Sequence, residues 1–142
     1  MKNELLLEAD MADLRQGGCL CGAVRYEINL HDQRTSNCHC RDCQKNSGGA
    51  FMPFTNVDAG QFRWITKPDG AFSASEKAVR RFCSACGTPL TWEGVNDSDT
   101  QSVSTGTLDD PSGLEITSEI YTRSRWPDIL PVSGARQYEK ST

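Results

Sequence analysis

From Gly22 the chain changes to a pattern of period two. Val24, Tyr26, Ile28 and Leu30 fall on one side and Arg25, Glu27 and Asn29 on the other, which predicts a half-buried β-strand. Weaker copies of the signal follow at Phe62 and Trp64, Leu90 and Trp92, Val103 and Thr105, and Ile116 to Tyr121, each bounded by Gly, Pro, Asp or Asn. The expectation is an all-β domain. Pro53 lies in the Phe51 to Val57 run, so that segment is expected at a sheet edge or at a bulge, because proline cannot donate to a ladder. The polar stretch from Glu93 to Ser102 reads as a hairpin loop. Only Asp42 to Asn46 has local helical character, which Gly48 and Gly49 would end. The ends are polar: residues 1–14 read as a short acidic helix capped by Asn3 or as a frayed arm, 15–130 as one domain, and 131–142 as a loose tail.

Composition sharpens the picture. Leu, Ile, Val and Phe number only 26 of 142 residues, a thin supply for a core. A net charge of -4 is too small to make the chain a disordered polyelectrolyte, so something other than aliphatic burial must add cohesion. Seven cysteines are the candidates. No apolar run approaches the ~18 residues that span a bilayer, which argues against a membrane role. Leu5 to Leu7 run straight into Glu8 and Asp10, so the start lacks the apolar stretch of a signal peptide. A cytoplasmic protein with reduced thiols is therefore expected, and an odd cysteine count agrees. The sequence pI of about 5.1 argues against nucleic acid as a partner.

The cysteines form three groups: Cys19-Leu20-Cys21, Cys38-His39-Cys40-Arg41-Asp42-Cys43 and Cys83-Ser84-Ala85-Cys86. Residues i and i+2 of an extended segment share a face, so each C-x-C aims two sulfurs at one point. A C-x-x-C turn does the same by curling, and Gly22 and Gly87 supply the conformations that such turns need. This is the spacing of zinc ligands. Keeping Cys38, Cys40 and Cys43 together leaves Cys19, Cys21, Cys83 and Cys86 as a closed tetrahedral site. Three sulfurs with a vacant fourth position are instead the pattern of a catalytic zinc. A division with Cys19, Cys21, Cys38 and Cys40 around one ion stays open. So does His39 as a fourth inner ligand, although a residue between two same-face ligands points away from them.

Four stretches, Gly18 to Tyr26, Cys38 to Lys45, Arg81 to Leu90 and Gly106 to Pro111, resemble the glutathione-dependent formaldehyde-activating enzyme family, which also includes centromere protein V. The resemblance runs from Gly17 to Ile129 in order and spacing. It implies a β-tent zinc fold of small packed antiparallel sheets. It also implies a structural zinc on the outer two pairs, a second, active zinc on the inner triad, and glutathione as co-substrate. The family's reaction condenses formaldehyde with glutathione to S-(hydroxymethyl)glutathione, a carbon-sulfur lyase reaction in reverse, so the implied partners are a small thiol and an aldehyde. A non-catalytic binding or chaperone module on the same fold is the competing expectation.

Around the inner triad, Lys45 and Arg41 are placed to meet glutathione carboxylates, and Ser47, Gly48 and Gly49 to offer backbone N–H donors; a solvated helix face and a plain loop account for the same residues. Arg80 and Arg81 precede the outer pair and read as its charge balance. Arg123, Arg125 and Trp126 resemble a late family segment, but a terminal strand packing its Trp is the simpler account. Asp109-Asp110-Pro111 reads as a turn and His31 as a surface residue.

Overall fold

The computed structural model describes residues 12–142, so the expectation for the N-terminal arm and its Asn3 cap lies outside the described residues up to position 11. The period-two segment is strand β2 (Arg25–Asn29), flanked antiparallel by β1 (Leu14–Gly18) and by β5 (Phe62–Thr66). Its apolar side is buried as the alternation requires: Tyr26 and Ile28 are fully enclosed and Val24 and Leu30 nearly so. Tyr26 packs against the rings of Phe62 and Trp64, and its hydroxyl lies 2.8 Å from Thr107 Oγ1. Asn29 is the exception on the polar side. It is buried because its Oδ1 accepts backbone N–H groups of Asp13 and His31.

A second sheet contains β3 (Arg34–Cys38), β4 (Met52–Asp58), β6 (Gly70–Ser75), β7 (Ala78–Phe82), β8 (Pro89–Gly94), β9 (Thr100–Ser104), β10 (Ile116–Ile120) and β11 (Arg136–Gln137). They lie in the order β11-β10-β3-β4-β9-β8-β7-β6. The pairing is antiparallel except where β10 meets β3 and β11, which run parallel to it. The apolar faces of the two sheets meet in the main core, where Val57, Leu90 and Val103 pack with Val24, Tyr26, Ile28, Leu30 and Leu108. A smaller cluster of Met52 and Phe54, with Trp92, Ile120 and Tyr121 against it, lies at the other end of β4.

Two expectations are corrected here. The strand containing Pro53 is interior, with β3 on one side and β9 on the other. Its ladder with β9 starts only at Phe54, so Pro53 sits on a stretch paired with β3 alone, where a missing donor costs no bond to β9. The C-terminal segment is tied down rather than loose: β11 pairs with β10, and Tyr121 and Thr122 donate backbone N–H groups to the carbonyls of Lys140 and Tyr138. The hairpin loop is real but shorter than expected, because β8 continues to Gly94 and β9 begins at Thr100. The local helix is α1 (Arg41–Ser47), ended by Gly48 at φ 71°. No helix among the described residues is long and apolar enough to cross a membrane.

Candidate metal centres

All seven cysteines are free thiols, and their sulfurs gather into two groups. Cys19, Cys21, Cys83 and Cys86 form the outer group and Cys38, Cys40 and Cys43 the inner one, with the ligand atoms of each group within 4.8 Å of one another. Cys19 and Cys21 thus lie with Cys83 and Cys86, whereas the alternative division would need them beside Cys38 and Cys40.

The outer group is built from two turns. In the first, Gly22 at φ 84° lets its N–H reach back to the Cys19 carbonyl, while Cys19 Sγ accepts the N–H of Val24 at 3.2 Å. In the second, Gly87 at φ 81° closes on the Cys83 carbonyl at 2.7 Å. Both glycines occupy the left-handed region, which a side chain would resist. Leu20 N donates to Thr88 Oγ1 at 3.1 Å and joins the two turns directly. Cys19 and Cys83 are buried members of the main core, so the outer group is continuous with it. The separations Cys19 Sγ to Cys21 Sγ, 3.6 Å, and Cys21 Sγ to Cys83 Sγ, 3.8 Å, can be compared with a tetrahedron of sulfurs. Zinc–sulfur bonds of about 2.3 Å require edges of ~3.8 Å, which these two edges match, and the other sulfurs lie within 4.8 Å.

The inner group comes from one short run. Cys38 ends β3, and Cys40 is the N-cap of α1, where its Sγ accepts the backbone N–H of Cys43 at 3.3 Å. The C-x-x-C is thus the first turn of a helix, and the preceding C-x-C is the strand that leads into it. The three sulfurs crowd together on the smaller apolar cluster. The neighbouring sulfurs of Cys38 and Cys43 hold the Cys40 thiol far below its ordinary range, at about 2, whereas Cys40 and Cys43, together with burial, push Cys38 up. At Cys43 the Cys38 sulfur favours the thiolate, but Cys40 and burial outweigh it and leave the thiol raised to about 11. One ionised sulfur therefore suppresses its neighbours, and three thiolates can coexist only beside a cation. A metal ion satisfies that requirement.

His39 is not in the inner group. Its side chain is fully buried just beyond the end of β3, and Nε2–H donates to Glu119 Oε1 at 2.8 Å, leaving Nδ1 without a hydrogen-bond partner among the described residues. Glu119 also accepts from Asn37 Nδ2, Arg125 Nη2, the Val132 N–H and Gln137 Nε2. Burial raises its affinity for a proton, but these donors prevail and hold the carboxyl down at about 2. This hub was not anticipated from sequence, because its partners come from positions 37, 39, 125, 132 and 137. An acidic residue inside the apolar-bounded stretch Ile116 to Tyr121 was the available signal.

The remaining site residues divide. Lys45 is exposed in the last turn of α1, and Arg41 donates to Gln44 Oε1 on the same helix. The donors expected from Gly48 and Gly49 are already used: Gly48 N–H caps the helix on Gln44 O at 2.8 Å, and Gly49 N–H is bonded to Ser47 Oγ. Arg80 serves the inner group, not the outer pair it precedes, with Nη2 3.6 Å from Cys43 Sγ. Arg81 pairs with Glu93. Arg125 and Trp126 do not belong to a strand; they follow a short 3-10 turn at Thr122–Ser124, and Trp126 is 45% exposed. Asp109 forms a two-pronged ion pair with Arg25.

A mostly β protein whose two cysteine clusters are each able to hold a metal ion is the class these observations define. The signature of the family described as "Glutathione-dependent formaldehyde-activating enzyme" matches residues 14–124, and the chain belongs to that family. It is similar to an uncharacterized lyase of Schizosaccharomyces pombe, 30% identical over 81 residues that make up 57% of this chain and 58% of the relative. Its fold is similar to that of a Rhodobacter sphaeroides protein of known crystal structure, with a TM-score of 0.55 and 18% identity, covering 87% of this chain and 98% of that one.

Proposed function

We propose that this protein is a zinc-dependent enzyme of carbon-sulfur bond chemistry that joins glutathione, or a similar thiol, to formaldehyde or another small aldehyde. The activity is that of an S-(hydroxymethyl)glutathione synthase. The observation that carries this reading is the convergence of three cysteine sulfurs, Cys38, Cys40 and Cys43, while the histidine between two of them is bonded to Glu119. A triad completed by His39 would have supported the binding-module reading instead; the orientation of His39 favours an open position. In this reading Cys19, Cys21, Cys83 and Cys86 hold a structural zinc, and the triad holds an active one. The reducing cytoplasm suits seven free cysteines.

A zinc ion bound by the triad supplies a coordination position at which a thiol ionises near neutral pH. The chain's own residues do the rest. Cys40 and Cys43 are fixed by the first turn of α1, and Cys38 by the strand that Glu119 holds through His39 and Asn37. Lys45 offers a positive charge, on the helix carrying two of the ligands, to a thiol that bears carboxylates, as glutathione does. The net reaction adds S–H across C=O. Sulfur bonds to the carbonyl carbon, the π pair moves to oxygen, and the thiol's proton ends on that oxygen as a hydroxyl; the reverse breaks the carbon-sulfur bond. Exchange NMR on glutathione and formaldehyde tests this: zinc-loaded protein is expected to raise the exchange rate above the spontaneous one. Coincident rates with and without protein would remove the enzymatic reading, and one zinc per chain in a fully loaded sample would remove the division of ligands.

A further inference from the structure

If three cysteine sulfurs and a substrate sulfur share one metal ion, all four are thiolates facing an electrophile. Addition of the aldehyde to a cysteine instead of the substrate would convert a ligand into a hemithioacetal and loosen the metal. Something must make the fourth sulfur the reactive one. Cys38 and Cys43 are both buried, at 5% and 2% exposed, in the cluster with Met52 and Phe54; Cys40 Sγ accepts the Cys43 N–H; and Cys43 Sγ alone also faces a cation, the guanidinium of Arg80 at 3.6 Å.

We propose that Arg80 is a specificity-determining positioning residue of the inner site, whose N–H bond to Cys43 Sγ withdraws electron density from that ligand and leaves the incoming thiol as the most nucleophilic sulfur. The inference rests on the reading of the triad as a metal site with a thiol as its fourth ligand. A hydrogen bond to an ionised acceptor is among the stronger kinds, and an electron pair engaged in one is less available for attack. Arginine suits the task because its charge is permanent and its planar fork keeps a donor directed at the sulfur. The same cation offsets part of the negative charge that four thiolates place on a divalent ion.

The fold explains how a residue three positions before an outer ligand comes to serve the inner site. Arg80 lies within β7, whereas Cys83 follows the strand's end at Phe82, beyond a register shift against β8 between Arg81 and Phe82. Cys83 enters the main core, while Arg80, paired across the ladder with Trp92, shares the face on which Trp92 packs against the inner cluster. Strand β7 thereby carries the cation of one site and leads directly into a ligand of the other.

The test uses the zinc-loaded full chain and iodoacetamide, with neither glutathione nor aldehyde present, and reads alkylation at each cysteine by peptide mass spectrometry. In Arg80→Met, Cys43 is expected to react at least about tenfold faster than in the unmodified protein, with zinc released in step, while Cys19, Cys21, Cys83 and Cys86 stay protected. Arg80→Lys, which retains the charge and a donor, is expected to restore most of the protection. In the cobalt-loaded protein the thiolate-to-metal charge-transfer band of Arg80→Met is expected to move to longer wavelength, since a thiolate without its hydrogen bond gives up an electron more readily. An unchanged Cys43 rate and band, or acceleration spread over all seven cysteines, overturns the proposal. A null NMR exchange result with the Cys43-selective pattern intact removes the enzymatic reading alone.

Discussion

The outer cluster closes a span of 62 residues between Cys21 and Cys83, whereas the inner cluster takes its ligands from the single run Cys38 to Cys43. Two of the outer sulfurs, those of Cys19 and Cys83, belong to the main core, and the group is framed by two glycine turns. The inner sulfurs lie on a small apolar cluster, beside one cation, and the histidine between two of them in sequence is bonded to one buried carboxylate. On the proposed function the contrast follows from what each cluster must accomplish. Fixing distant segments removes much chain entropy from the unfolded state, so a metal there would act on the whole fold. Fixing sulfurs that a strand and a helix turn already hold together removes little, and would leave an ion there free for chemistry.

The sharpest way to break this comparison is to remove one outer ligand. Cys83→Ser is expected to abolish cooperative folding at 25 °C, because structural zinc binding of about 10 kcal/mol or more exceeds or matches the whole stability of a domain this size. Near-UV circular dichroism and urea unfolding report it directly. If Cys83→Ser unfolds cooperatively within about 2 kcal/mol of the unmodified protein, the outer cluster is no more structural than the inner one.

What the sequence reveals follows the same division. The cysteine groups are legible because spacing of two or three residues fixes local geometry, and β2 is legible because Val24, Tyr26, Ile28 and Leu30 are apolar and alternate. Strand β3 is not legible, because its buried residues are polar: Thr35 joins a hydroxyl chain with Gln33, Thr55 and Thr105, and Asn37 turns to Glu119. Buried hydrogen-bonded side chains carry no hydropathy signal, and their partners are set by the fold. The same reason places Arg80 with the wrong cysteines when only its position in the chain is known. Pro53 misleads differently: its local rule is obeyed, but the ladder ends one residue away from it.

Glu119 sharpens the comparison by asking how far the inner site depends on polar support. Its carboxyl is held at about 2 against an ordinary value near 4.5, so the unfolded chain binds the proton more tightly. Stability from this group is complete above about pH 5 and is lost as the pH falls toward 2. Glu119→Gln is expected to cost about 3 kcal/mol at pH 7. Urea unfolding of the two proteins across pH should show their gap closing on acidification. A gap of constant size would mean that the hub stabilises through packing alone, and the supposed polar support of the inner site would not distinguish it from the outer one.

Cys40→Ser has the smallest expected effect on stability and separates the two roles most cleanly. Serine is itself a preferred N-cap, so Oγ can take the Cys43 N–H that Cys40 Sγ accepts, and α1 keeps its first turn. The unfolding free energy is therefore expected to change by no more than about 0.5 kcal/mol. Metal content should fall from two ions per chain to one, and NMR exchange should fall to the spontaneous rate, because two cysteines and a hydroxyl no longer make the triad. The contrast with Cys83→Ser, one sulfur-to-oxygen exchange against another, then isolates where in the fold the ligand sits. Should Cys40→Ser destabilise the protein as much as Cys83→Ser does, the inner ion is also a fastener, and the distinction between a site that holds the chain and a site that acts on a substrate fails.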